Sequence, residues 1–82
     1  MNHTVAVCLN GWILIGQKDI NMTILNPAEM VLREASVVRC WNNGRGIGGI
    51  VKEEYKDEYT LDEIGDVALK QDKILYYFDC EW

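Results

Sequence analysis

Short β-type runs cut off by turn signals constrain this chain most. Residues 4–9 (TVAVCL) stop at Asn10-Gly11, residues 12–16 (WILIG) return, and residues 74–80 (ILYYFDC) close the chain. Between them lie residues 29–33 (EMVLR), a corner at Glu34-Ala35, residues 36–41 (SVVRCW) and residues 67–69. A short strand is also expected at residues 22–25 (MTIL), followed by a turn at Asn26-Pro27, because the residue before proline avoids helical geometry. A helical turn over residues 27–32 is the competing reading of that segment, with proline at its first position. Strands this closely spaced leave little length for helices. They predict an all-β domain, a small closed or nearly closed barrel of five to seven short strands, in which closure removes exposed strand edges.

Local chemistry refines the pattern. Asn10-Gly11 favours φ > 0 at both positions, as in a two-residue type I′ hairpin. The apolar residues of 12–16 are continuous, which suits a strand covered on both faces. Simple alternation over 36–41 would place Val38 and Cys40 on one face and Val37, Arg39 and Trp41 on the other. Gly65-Asp66 reads as a further turn and Lys70 to Lys73 as a polar connection.

With 82 residues the chain makes one domain with room for one small core. Its hydrophobic fraction of 49% is that of a globular protein. The net charge of −5 disfavours nucleic acid and anionic membranes, whose binders carry clustered positive charge. No basic leader and no membrane-length apolar run is read in the sequence. Cys8, Cys40 and Cys80 are far apart and odd in number, which suits reduced thiols in a cytoplasmic setting. With His3 they make up a zinc set by residue type, but no Cys-x-x-Cys anchor is present, so no metal and no other cofactor is expected.

Residues 44–49 (GRGIGG) spell the dinucleotide motif G-x-G-x-x-G. That motif needs a strand-to-helix junction within a βαβ unit, and the acidic segment that follows would repel phosphate. The expected role is a mobile hairpin or bulged loop able to order itself on a partner. Residues 53–66 carry seven of the thirteen acids. They are expected to form a solvated, partly extended excursion with an edge strand near residues 59–61, although the four-residue spacing of Val51, Tyr55 and Tyr59 also suits a helix face. Neither a calcium loop nor the cleft of a glycosidase accompanies these acids.

The chain resembles a family of small uncharacterised proteins of phages, prophages and gut bacteria. The likeness rests on Gly11-Trp12, the run Ala35-Ser36-Val37-Val38-Arg39-Cys40-Trp41, Gly46-Ile47-Gly48, Thr60-Leu61-Asp62 with Gly65 and Val67, and Asp79-Cys80. Asn42 stands where that family tends to have glycine, and the segment around residues 27–29 is longer. The resemblance implies an SH3-like or Sm-like barrel in a bacterial host cell and no particular activity.

The expected contact surface joins the glycine loop to the acidic excursion: Arg39, Trp41, Asn42, Asn43, Arg45, Ile47, Glu53, Glu54, Asp57 and Glu58. Arg and Trp are enriched among interface hot spots, and the acids suit a basic partner. The expected function is a non-catalytic protein-binding module. A homo-oligomer is a further expectation, with Trp82 or a strand edge mediating pairing. The alternative is single-stranded nucleic-acid binding through Trp12, Trp41, Arg39 and Arg45.

Overall fold

The computed structural model describes residues 2–41 and 44–82. Its frame is one antiparallel sheet of β1 (His3–Cys8), β2 (Ile13–Lys18), β3 (Glu29–Trp41), β4 (Tyr59–Lys70) and β5 (Ile74–Asp79), ordered β4-β3-β2-β1-β5. The all-β reading holds with five strands, of which β3 and β4 run to 13 and 12 residues. The sheet is open: β4 and β5 are its edges, and no ladder joins them among the described residues.

At the β1–β2 hairpin the Cys8 amide donates to Trp12 O and the Gly11 amide to Cys8 O. Gly11 alone has positive φ, at 90°. The connection is thus a three-residue loop ending in a left-handed glycine rather than the two-residue type I′ turn. Asn10 serves it through its side chain, whose Oδ1 accepts from the Trp12 amide.

The expected strand at 22–25 is instead a helix, α1 (Ile20–Leu25). Asp19 caps it by accepting from the Met22 amide at 3.0 Å, and its carbonyl takes the Thr23 hydroxyl at 2.9 Å. A good N-cap decides the conformation of a segment whose side chains are divided between strand and helix preference. No residue of α1 is buried, so packing contributes little.

The corner at Glu34-Ala35 exists as a bulge inside one long strand. Ile15 pairs with Ser36 and Gln17 with Arg33, so Gly16 faces two residues of β3. Glu34 takes φ of 50° there, and its amide donates to Asp66 Oδ1 at 3.0 Å. Gly65, opposite Ala35, has φ of 83°. Gly65-Asp66 is therefore not a chain-reversing turn but a kink in β4 that matches the kink in β3. A second irregularity, between Val38 and Cys40, breaks the expected alternation. Val38 and Trp41 contribute to the same cluster, whereas Cys40 is exposed.

The sheet buries side chains on both faces of β1 and β2. Val5 and Ile15 join Val38, Ile50, Tyr59 and Cys80 in a first cluster, while Ala6 and Leu14 join Cys8, Met30, Leu32 and Ala35 in a second. The continuous apolar run of β2 follows from this double cover. At the edge, β5 leaves Leu75, Tyr76 and Tyr77 about half exposed.

Arg33 ties the bulge to α1, with Nε 3.0 Å from Asp19 Oδ2 and a terminal nitrogen 3.0 Å from Asp66 Oδ2. The Met22 amide and then Arg33 lower the pKa of Asp19, and the Glu34 amide and then Arg33 lower that of Asp66. On acidification the unfolded chain, with ordinary carboxylates near ~pH 4, takes up protons before the folded one. Stability present above that pH is expected to fall as the pH drops through the lowered folded values. In acid titrations followed by circular dichroism, Asp66→Asn should be less stable at neutral pH and show a shallower acid decline.

Candidate contact surface

The glycine-rich stretch after β3 is a cap seated on the first cluster. Gly46, at φ of 70°, leads into a 3₁₀ turn, Ile47–Val51, and a second 3₁₀ turn spans Glu53–Glu58. Such turns eclipse side chains three residues apart. Ile47 and Ile50 accordingly both pack inward, and Ile50 has no exposed surface. Tyr59 donates its hydroxyl to Gly46 O, and its ring lies 6.0 Å from that of Trp41.

The end of the chain fastens this cap. Trp82 Nε1 donates to Ile50 O at 2.8 Å, and the Glu81 amide donates to Val51 O at 2.9 Å. Lys52 Nζ lies 2.9 Å from Glu81 Oε1, and the ring of His3 lies 4.4 Å from that of Trp82. Trp82 is therefore half-buried in the fold's own packing. In place of the expected hairpin or bulged loop, residues 47–51 form a 3₁₀ turn that packs on the core and is bonded through its backbone to the chain end. No phosphate-binding helix follows residues 44–49, and every ladder in the sheet is antiparallel.

The expected site residues separate into three groups. Trp41 and Ile47 are half-buried packing residues. Arg39 and Arg45 are exposed but engaged, Arg39 Nε with Asp62 at 3.2 Å and Arg45 Nε with Glu58 at 3.0 Å. The Arg45 guanidinium also stacks 3.8 Å above the centre of the Tyr55 ring, and Glu58 raises its pKa. Trp41 packs beside Tyr59, so Arg39, Trp41 and Arg45 each have a partner of their own within the fold. Glu53, Glu54 and Asp57 make an exposed acidic row on the second 3₁₀ turn, where Glu53 is 3.4 Å from Lys56 Nζ. That segment is 3₁₀ rather than extended, while the edge strand begins at Tyr59 as expected. Asn42 and Asn43 lie outside the described residues.

Sequence reasoning missed the exposed apolar side chains of α1 and β5. Ile24 and Leu25 are 71% and 78% exposed, and Leu75 is 60%. The apolar letters were visible, but which edge of the sheet stays open is a property of the whole topology. Trp12 is also exposed, while its expected nucleic-acid partners Arg39 and Arg45 sit on carboxylates.

The cysteines do not converge: Cys80 lies in the first cluster, Cys8 in the second, and Cys40 on the surface. Burial pushes the Cys8 thiol up, and burial, with Asp79 adding to it, pushes Cys80 up to about 11. Both are poor nucleophiles near neutral pH. A colorimetric thiol titration of the folded protein is expected to show one fast thiol, abolished by Cys40→Ser. The other two should react only on unfolding, and two fast thiols would contradict this placement.

Fold and surface together define a small all-β domain, an open five-stranded antiparallel sheet with a locked cap and an acidic outer row. A scan of protein-family models and searches of curated proteins and of solved structures gave no match. Among the described residues no helix is long and apolar enough to cross a membrane.

Proposed function

We propose that this chain is a protein-binding module of phage or prophage type, without catalysis of its own, which modulates a host or defence protein in the bacterial cytoplasm. Its open order of five antiparallel strands is a variation on the SH3-like or Sm-like barrel. One observation carries the binding proposal. Glu53, Glu54 and Asp57 are exposed on a turn whose neighbouring segment is pinned into the core by Ile50 and Trp82. Carboxylates carried beside an anchored backbone segment need less ordering on contact than those of a free loop, and an acidic row suits a basic protein surface.

The test is affinity capture from bacterial host lysate with the intact chain and with a Glu53→Lys/Glu54→Lys/Asp57→Lys variant. The intact chain is expected to retain a discrete partner that leaves at about 1 M salt, where screening acts within ~3 Å. The variant should lose that partner while keeping its thermal melt. Equal retention by both proteins, or no partner for either, would contradict the proposal.

A further inference from the structure

The eight cations of the chain are not used alike. All three arginines, Lys52 and Lys56 lie against carboxylates, and Lys18 sits 5.0 Å from the centre of the Tyr77 ring. Only Lys70 and Lys73 have neither kind of partner among the described residues. In a chain with thirteen acids and a net charge of −5, two unpaired lysines in one place stand out against the composition.

Both line the same groove, of about 560 Å³, between the β1–β2 hairpin and the last residues of β4. Its walls are mostly apolar: Cys8 and Leu9, with the polar Asn10, come from one side and Ala68 and Leu69 from the other. Cys8 and Leu69 belong to the second cluster, so the groove opens from a different core face than the acidic cap. It also lies where the sheet is incomplete. β4 pairs with β3 on one side only, and Lys73 leads directly into β5, the opposite edge.

We propose that this groove binds an extended acidic peptide segment of a partner protein, with an apolar side chain between carboxylates. The apolar side chain would enter between Leu9 and Leu69, and the carboxylates would meet Lys70 and Lys73. The peptide backbone would run along the free edge of β4, where main-chain groups without a ladder partner supply affinity. That edge favours a peptide over a simple amphiphile, which has no amides to offer it. The proposal rests on the protein-binding reading but uses residues separate from Glu53, Glu54 and Asp57, so either site can fail while the other holds.

The experiment is a titration of the full chain, followed by amide chemical shifts, with the end-capped peptide Ser-Glu-Leu-Glu-Leu-Glu-Ser. Controls are the same peptide with lysine for every glutamate, the same with serine for every leucine, and decanoate. The acidic apolar peptide is expected to shift the amides of residues 8–10 and 68–73 saturably. Lys70→Glu/Lys73→Glu should weaken this at least about tenfold while leaving the remaining amide spectrum in place. The two control peptides should not saturate. Absent shifts in the groove, equal binding by the double variant, or saturation by decanoate alone would each overturn the proposal. The lysine variant leaves the acidic row intact, so capture of a partner through Glu53, Glu54 and Asp57 reports separately.

Discussion

Ile50→Ala is expected to destabilise the protein by about 2–4 kcal/mol, the usual range for emptying a fully buried aliphatic site. For a domain of this size that lowers the melting temperature by roughly 10–25 °C. The effect should be large because Ile50 joins three parts of the fold. Its side chain fills the first cluster with Val5, Ile15 and Val38, and its carbonyl accepts from Trp82 Nε1. The loss should therefore reach the chain end, where the Glu81 amide is bonded to Val51. Differential scanning calorimetry checks the magnitude, and a loss under about 1 kcal/mol would show that the cap rests on the core without filling it.

Gly16→Val should cost at least as much as the about 1–3 kcal/mol typical of overpacking. A side-chain carbon at residue 16 would lie 3.1 Å from Ala35 Cα, from Ala35 Cβ and from Arg33 O. Two of these are backbone atoms of the β3 bulge, which cannot rotate away. The glycine and the bulge form one device: two residues of β3 crowd against one position of β2, and a side chain there would have to push the β3 backbone back by a few tenths of an ångström. Urea denaturation measures the loss. Gly16→Ala should show a smaller loss of the same sign, because its single carbon meets the same atoms and leaves no branches to place.

Much of the frame was legible from local chemistry. The runs at 4–9 and 12–16, the turn between them and the strand at 74–80 appear close to where their β-branched and aromatic residues place them. What stayed hidden depended on partners distant in sequence. Gly65-Asp66 carries a turn's letters, yet it kinks a continuous strand because the β3 bulge lies opposite and Asp66 takes the Glu34 amide. Ile20, Thr23 and Ile24 of α1 favour strand while Met22 and Leu25 favour helix, and a single carboxylate, Asp19, turned the balance. That signal was present as an acid preceding an apolar run.

The contact surface was legible as composition and not as arrangement. Glycines around Arg45 suggested freedom, but Arg45 is engaged by Tyr55 and Glu58, and the next turn is anchored. The three-residue spacing of Ile47 and Ile50 was the available hint of a 3₁₀ turn facing the core. Nothing local links Trp82 to Ile50, 32 residues away. The acids at 53, 54 and 57 were visible throughout, and the structure adds that the segment beside them is fixed.

Amide hydrogen exchange at Lys52 and Glu81 tests the locked cap most directly. Both amides are bonded to carbonyls of the cap, Gly49 and Val51 respectively. They are expected to exchange with the sheet amides of β1 and β2, through opening of the whole domain, and to lose that protection in Ile50→Ala. Exchange at both positions on the timescale of unprotected loop amides would contradict the account, because the acidic row would then have no fixed support.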